Sequence, residues 1–576
     1  MAEVQLEIDG RSVVVDENAT ILDAAKKLNI NIPTLCYMDF ENASCISKPA
    51  SCRICVVEVV GRKNLAPACA TRVTNNMVVR TNTPRVLNAR KTVLELMLSD
   101  HPADCLQCVK QGHCELQKLA KDFCIRKDEY SNLPKKSKFV IDKNESLVRD
   151  MNKCIRCRKC EVVCNKVQQV GALSAINRGF EAIVMPEFNK PISEVNCTMC
   201  GQCVAVCPTG ALTEREYLQD VMHALQNKYK VVVASIAPAV RVALGEEFGM
   251  KNTRDITGKI VAALKRIGFD YVFDTDFAAD VTIMEEGAEI IQRLQSKENL
   301  PIITSCCPAW INFIEENYPD NLNLPSSARS PQQIFGSIIK SYFVKKMGLE
   351  SEDIVNVSIM PCIAKKYEAN RPEFRGDVDT VITTKELARL IKMYNINFEK
   401  LEPEEFDSPM QKSTGAGVIF GTTGGVMEAA LRTVYEKLTG KELEKLEFEA
   451  VRGLQGVKTA TININGEDIN IAVASGLGNA KLIMDEINNG NPRNLHAIEI
   501  MACPGGCIAG AGQPICGQDI KVIRTRQQGL YERDKESKLR KSHENPDVIA
   551  MYKEYFKEPM SHKAHDLLHT EYKPKH

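Results

Sequence analysis

Twice, 43 residues apart, the chain sets four cysteines at Cys-x2-Cys-x2-Cys-x3-Cys spacing: Cys154, Cys157, Cys160 and Cys164, then Cys197, Cys200, Cys203 and Cys207. Thiolates at these intervals suit cubane iron–sulfur clusters, and in a close pair of such runs the fourth cysteine of each ligates the cluster of the other. The expected ligand sets are Cys154, Cys157 and Cys160 with Cys207, and Cys197, Cys200 and Cys203 with Cys164. Structural zinc is the alternative for eight thiols, and a duplicated run of this spacing argues against it. Only the second run continues into proline, at Pro208. The pair makes the chain an electron conductor, and its function depends on what stands at each end.

Toward the N-terminus lie two further groups. Cys36, Cys52, Cys55 and Cys69 combine a Cys-x2-Cys step with wider intervals, as in plant-type [2Fe–2S] sites, although the gap between Cys36 and Cys52 is longer than in the compact pattern. Cys45 falls inside that gap and reads as a spare thiol. His101, Cys105, Cys108 and Cys114 follow. Alone, this set suits zinc as well as a [4Fe–4S] cluster with one imidazole ligand; cluster sites on both sides favour the second. In the back half, Cys307, Cys362 and Cys503 end apolar runs, all three in Cys-Pro or Pro-Cys steps; Cys507 stands four residues beyond Cys503, and Cys306 precedes Cys307 directly. Any one of these reads as a core cysteine; four converging would hold one more cubane and leave Cys306 as an extra thiol.

The elements that must position these groups change character along the chain. VQLEIDGRSVVVD reads as a hairpin turning at Asp9-Gly10, followed by a helix from Ile21 with Thr20 as N-cap and Asp23 in its first turn. VVEVV adds a strand, and residues 85–130 read as mostly helical. After residue 220, unalternated apolar runs alternate with helical segments: KVVVASIAP, DYVFDT, PIITSCCP, VNVSIMPC, VDTVITT, GVIFGTTGG, INIAVASG and HAIEIMACPGG. Such strands indicate buried, mainly parallel sheets covered on both faces, with ligands beyond their carboxyl ends. The fold class expected is multidomain α+β and α/β. Its parts are a [2Fe–2S] β-grasp ferredoxin-like domain (1–82), a small [4Fe–4S] domain with one histidine and three cysteine ligands (83–140), a 2[4Fe–4S] ferredoxin-like domain (141–217) and a large α/β domain (218–576).

Composition agrees with that division. Of 23 cysteines, 17 precede residue 210, an odd total that argues for metal binding in a reducing compartment over a disulfide framework. Lys plus Arg equals Asp plus Glu at 74 each, with no basic stripe, so no nucleic-acid partner is expected. The opening MAEVQLEIDG lacks a secretory pattern, and no apolar run approaches the ~20 residues of a membrane span, which predicts a cytoplasmic protein. Neither a GxGxxG after a strand nor a Walker motif occurs, so the chain itself is not expected to bind NAD(P)H or flavin.

Three segments, TSCCP at 304–308, MPCIAKK at 360–366 and MACPGGC at 501–507, resemble the signatures of the [FeFe]-hydrogenases, as do FDTDFAADVTIMEE, SSARSPQQIFG and GAGVIFGTTGGVMEAALR. The resemblance spans essentially the whole chain and includes the four-part front end of the large clostridial enzymes. It implies that Cys307, Cys362, Cys503 and Cys507 hold the cubane of the H-cluster, with Cys507 bridging to a diiron subsite that carries CO, CN⁻ and azadithiolate and is supplied by maturases. It places Lys365 against a cyanide and Pro238, Ala239, Gln332, Met360 and Met501 around the same pocket. It further implies a proton route from Cys306 through Glu286, Ser326 and Glu289 to Arg293. From spacing alone, Glu286, Glu289 and Arg293 could share one helix face as an ordinary solvated patch, although the apolar run around Glu286 leaves a carboxylate there needing a reason.

The cofactors implied are the H-cluster, three accessory [4Fe–4S] clusters and one [2Fe–2S] cluster, and the reaction is 2H⁺ + 2e⁻ ⇌ H₂. Ala239 is a departure from ferredoxin-linked monomers, which often have serine there; the Pro504 variant, where those monomers often have histidine, resembles catalytic subunits of electron-bifurcating hydrogenases. Those work with ferredoxin, a flavin-bearing diaphorase-like subunit and a small [2Fe–2S] subunit. A stand-alone ferredoxin hydrogenase and a hydrogen sensor are the alternatives. KSHENPDVIAMYKEYF reads as a helix packing back on the large domain, with His543 as a cap or surface residue.

Overall fold

The computed structural model describes residues 2–126, 129–130, 139–250, 256–374, 376–443 and 445–575. Its first sheet pairs Glu3–Ile8 with Arg11–Asp16 across a turn in which Asp9 and Gly10 both take positive φ (48° and 80°), the geometry that keeps a two-residue hairpin in step with strand twist. Val78–Arg80 then pairs in parallel with Glu3–Ile8, and Val56–Val59 lies beyond it. The helix Ile21–Lys27 closes this sheet's core, and its first turn is held by a reciprocal cap between Thr20 and Asp23. The next region carries two helices, Pro84–Ser99 and Glu115–Asp122. The twin-run region is made of short strands and one-turn helices wrapped around its cysteines.

The large domain has two four-stranded sheets. In the first, Tyr271–Asp274, Val231–Ile236, Ile354–Met360 and Thr380–Thr383 lie side by side, all parallel. In the second, Ile302–Ile303, Leu495–Met501 and Glu467–Ser475 are parallel, and Val457–Ile464 pairs antiparallel at the edge. Between them runs the 22-residue helix Thr275–Ser296. Phe277, Ala278 and Val281 pack with Val233 and Phe273 of the first sheet, while Ala279, Ile283 and Ile290 pack with Ile302, Val473 and Ala497 of the second. A helix apolar on opposite faces is a core helix; the polar groups on its stretch from Thr275 to Ile290 are buried.

Two readings change. GVIFGTTGG is not a strand: Gly415–Val418 is helical, Ile419–Gly421 continues as a tight turn, and Thr414 caps the helix by accepting from Gly417 N. The glycines allow close packing, since a Cβ on Gly417 would stand 2.6 Å from the Asp276 carbonyl oxygen. The edge strand Val457–Ile464 escaped the apolar-run criterion because it alternates, although its turn at Asn465-Gly466 (φ 52° and 90°) is a hairpin signal. The C-terminal segment is helical over Pro546–Met551 and packs on the large domain through Val548, Met551 and Phe556. His543 bonds Thr433 and Glu436, each at 3.0 Å, as a partly buried structural residue.

Candidate active site

The two sheets bring their carboxyl ends together. Ile354–Met360 runs directly into Pro361-Cys362, Val231–Ile236 into Ala237-Pro238-Ala239, Ile302–Ile303 into Thr304-Ser305-Cys306-Cys307, and Leu495–Met501 into Ala502-Cys503. Cys307 caps the helix Pro308–Asn317, and Cys503 to Cys507 span a turn in which Gly505 and Gly506 take φ near 90°. A Cβ on Gly506 would stand 2.6 Å from Thr423 N, so this turn admits only glycine there. Between the strand ends is a cavity of about 70 Å³ lined by Pro238, Ala239, Cys306, Gln332, Met360, Cys362, Lys365 and Cys507, with Thr275 and Phe420, which the sequence reading did not name. Met501 is buried in the same cluster as Cys306 and Cys507, with its sulfur 3.2 Å from where a Cβ on Gly506 would stand.

The four thiols of Cys307, Cys362, Cys503 and Cys507 converge. Burial pushes each up, Cys362 to about 11, and Cys362, Cys503 and Cys507 are raised further by charge on the others. Bare thiols so placed would stay protonated; a cationic iron–sulfur core compensates four thiolates, and the donor set fits one. The Ala502 N–H points at Cys307 Sγ (3.4 Å), and Gln202 Nε2 donates to Cys503 Sγ (3.1 Å).

Lys365 is buried, and its ammonium reaches the Cys306 carbonyl oxygen and both oxygens of Glu368, each at 3.0 Å. Glu368 also accepts from Ser330 Oγ and Gln332 Nε2, both at 3.0 Å. Sequence reading missed this carboxylate, whose signal was its i, i+3 spacing from Lys365 on the helix Ala364–Ala369. Gln332 Oε1 has no hydrogen-bond partner among the described residues, leaving a polar atom for a ligand.

On the long helix, Glu286 is buried with neither oxygen hydrogen-bonded among the described residues. Desolvation, then the charges of Glu289 and Glu499, raise it to about 8. Burial pushes the Cys306 thiol well above its usual value, and charge on Cys307, Glu286, Cys507 and Glu499 adds to this. Farther out, Glu289 accepts from Ser326 Oγ (2.7 Å), Ser327 N (3.0 Å) and Arg293 (2.5 Å), and Arg293 also donates to the carbonyls of Asn299, Asn323, Leu324 and Pro325. Ser326, Glu289 and Arg293 thus form one bonded chain; Glu286 is near enough to be raised by charge on Glu289, and Cys306 by charge on Glu286. Glu499, also missed, takes hydrogen bonds from Gly424 N (2.6 Å) and Met427 N (2.9 Å); its signal was a charge inside the buried run HAIEIM.

The front cysteines fall into neighbouring groups. Burial raises Cys157, Cys197, Cys200 and Cys203; charge on Cys207 and Cys154 adds to it at Cys157, and charge on Cys164 at the other three. The second group adjoins the cavity: a Cβ on Gly201 would strike Ile363 at 2.6 Å, beside Cys362, and Asn312 donates to the Thr198 carbonyl. Cys36 and Cys52 share a core with Cys157, and Cys55 Sγ lies 3.4 Å from Cys69 Sγ. Cys45 sits apart on the strand Cys45–Ser47. His101 Nδ1 lies 3.0 Å from the Pro102 carbonyl oxygen, and Cys105, Cys108 and Cys114 are each at least partly exposed. Cys108 presses on the loop after Cys207, where a Cβ on Gly210 would stand 2.6 Å from its sulfur.

Parallel sheets meeting over a thiol-lined cavity, with cysteine groups leading away from it, define an iron–sulfur redox enzyme. Residues 230–511 match the family described as "Iron only hydrogenase large subunit, C-terminal domain", and 520–575 match "Iron hydrogenase small subunit". Residues 1–84, 90–129 and 153–211 match a 2Fe-2S iron–sulfur cluster binding domain, the NADH-ubiquinone oxidoreductase-G iron–sulfur binding region and a 4Fe-4S dicluster domain. The chain is 54% identical to the NADP-reducing hydrogenase subunit HndD of Solidesulfovibrio fructosivorans over 99% of both chains. It is 40% identical to iron hydrogenase 1 of Clostridium pasteurianum over 98% of this chain and 99% of that one. An apo [FeFe]-hydrogenase HydA1 variant from Chlamydomonas reinhardtii superposes with a TM-score of 0.56 at 41% identity, covering 62% of this chain and 98% of that one. The chain belongs to the [FeFe]-hydrogenase family: it is a hydrogenase with an H-cluster domain preceded by 2Fe–2S and 4Fe–4S binding domains. Among the described residues no helix is long and apolar enough to cross a membrane.

Proposed function

We propose that this hydrogenase is the catalytic subunit of an electron-bifurcating complex in the cytoplasm, exchanging electrons with ferredoxin and, through partners, with NAD(P)H. The carrying observation is end-to-end similarity to a chain named as a subunit of an NADP-reducing hydrogenase. With no dinucleotide fingerprint in this sequence, the nicotinamide must be handled elsewhere, by a flavin-bearing diaphorase-like subunit with a small [2Fe–2S] subunit.

Cys307, Cys362, Cys503 and Cys507 are the residues that would hold the H-cluster cubane, and Cys507 would serve the diiron subsite as well. Cys36, Cys52, Cys55 and Cys69 are proposed for the [2Fe–2S] cluster, His101, Cys105, Cys108 and Cys114 for one [4Fe–4S] cluster, and the crossed sets of the twin runs for two more. When bound, the H-cluster supplies the redox chemistry that makes or splits H₂. The chain's residues do the rest. Lys365, immobilised by Glu368, sets a fixed positive charge at the cavity wall, suited to an anionic ligand. Phe420, Met360 and Pro238 keep that wall apolar and exclude water. Cys306 holds the proton nearest the cavity because burial keeps it as a thiol. Glu286, also protonated near neutrality, resupplies it, and Ser326, Glu289 and Arg293 connect Glu286 outward. The Cys197 group is the last relay before the cavity, while the Cys36 and His101 groups flank the first twin-run set as separate electron inlets.

The test is anaerobic H₂ evolution by the matured, isolated chain with reduced viologen and with reduced ferredoxin. Fast turnover with viologen and slow turnover with ferredoxin until the partner subunits are added is the expected pattern. Equally fast turnover with ferredoxin alone would make it a stand-alone ferredoxin enzyme, and silence with both, despite an infrared-confirmed diiron site, would make it a sensor.

A further inference from the structure

The outer end of the proton route is built partly by the C-terminal segment. Backbone pairing lays residues 568–570 against 327–329: Arg329 N donates to the Leu568 carbonyl and Thr570 N to the Ser327 carbonyl, both at 2.8 Å. This pairing inserts His569, which is buried, between Glu285 of the long helix and the Ser327 hydroxyl. Its Nδ1 lies 2.9 Å from Ser327 Oγ and its Nε2 lies 3.0 Å from Glu285 Oε2. Glu285 is fully buried and is fixed by the Tyr552 hydroxyl and by Met560 N, so both its other donors also come from the C-terminal segment.

The hydroxyl of Ser327 has one proton and two acceptors within reach, His569 Nδ1 at 2.9 Å and Glu289 Oε2 at 3.2 Å. In the neutral ring, the Glu285 carboxylate facing Nε2 keeps the single ring hydrogen on that nitrogen, which leaves Nδ1 as an acceptor. The Ser327 proton then turns to His569 and away from Glu289. Oxygen Oε2 of Glu289 is left to Ser326 Oγ and the Ser327 amide.

We propose that His569 is a positioning residue for proton transfer: by engaging the Ser327 hydroxyl it reserves Glu289 Oε2 for Ser326, so that the docked C-terminal segment completes the proton route. Without His569, Ser327 would donate to the same oxygen as Ser326 and stabilise the charged carboxylate against taking up a proton. The inference rests on the reading that Glu289 and Ser326 carry protons.

Four variants of the full chain test it: His569→Ala, His569→Asn, His569→Gln and, as control, Glu289→Gln. The asparagine amide reaches the Nδ1 position and can accept from Ser327; the glutamine amide reaches toward Glu285 instead. Viologen-linked H₂ evolution at equal iron content should fall about fivefold in His569→Ala, the scale of one neutral hydrogen bond. It should return in His569→Asn and stay low in His569→Gln. Hydrogen exchange read by mass spectrometry on protein lacking the diiron subsite should show residues 561–575 as protected in His569→Ala as in the parent, because the backbone pairing persists. Turnover in His569→Ala within twofold of the parent, rescue by glutamine instead of asparagine, or lost protection of 561–575 would each overturn the proposal, the last by making His569 merely structural. If Glu289→Gln leaves turnover intact, the underlying route reading fails; if it abolishes turnover while His569→Ala does not lower it, only this inference fails.

Discussion

Replacing Glu286 by glutamine should move activity and stability in opposite directions. The carboxyl is enclosed by the core helix with no hydrogen-bond partner among the described residues, and burial raises it from 4.5 to about 8. A carboxyl raised on folding binds its proton more tightly in the native state. Its contribution to stability is therefore full below pH 4.5, is lost progressively as pH rises to about 8, and stays at the lower level above that. At pH 7 the unfolded chain is ionised while the native group is mostly protonated, a cost of about 3 kcal/mol, growing to about 5 kcal/mol above pH 8. Glutamine keeps the shape and has no proton to lose, so Glu286→Gln should match the parent near pH 4.5 and exceed it increasingly toward pH 8. The proton route would lose a group that can exchange protons, and viologen-linked H₂ evolution should drop by about 10²-fold or more. Trp310, the only tryptophan and fully buried on the helix that starts at Cys307, reports unfolding of this domain by fluorescence in anaerobic denaturant titrations. Turnover within a few fold of the parent would remove Glu286 from the route. A stability difference that is flat or negative between pH 5 and 8 would refute the desolvation argument.

Cys306→Ser should fold and load iron normally yet lose at least about 10²-fold in H₂ evolution, because a hydroxyl surrenders its proton far less readily than a thiol; activity per diiron site, counted by infrared bands, checks this. Glu368→Gln leaves the buried Lys365 ammonium without its counter-charge and should cost about 3 kcal/mol, with reduced occupancy of the diiron subsite in the same spectra. Gly506→Ala forces a Cβ onto Thr423 N in a left-handed turn and should lower iron content of the large domain, measured against the unaffected signals of the front clusters. Cys36→Ala should erase the [2Fe–2S] resonance at low temperature while viologen-linked turnover persists, as the proposed role of the Cys36 group as an inlet requires.

Some of this was readable in one dimension because the relevant physics is local. Thiolate spacing around a cluster is set within a dozen residues, so the twin runs announce themselves, and the Asp9-Gly10 turn and the Thr20–Asp23 cap depend on backbone preferences of adjacent residues. Strand ends at Cys307, Cys362 and Cys503 were legible because fully buried parallel strands show as unbroken apolar runs. GVIFGTTGG shows the limit of that criterion: an apolar, glycine-rich run is equally good as a tightly packed helix, and only its contact with Asp276 decides.

The sequence determined the cofactor chemistry and the order of its parts, because ligand type and spacing are properties of the chain itself. Tertiary structure decided which carboxylates matter. Glu286 and Glu289 are three residues apart on one helix, yet one is stranded without a partner among the described residues and the other is held by Ser326, Ser327 and Arg293. Glu368, Glu499 and the His569–Glu285 pair acquire roles only through neighbours up to 284 residues away. Desolvation and hydrogen bonding depend on what packs around a group, and that surrounding exists only once both sheets and the C-terminal segment have closed on the same helix.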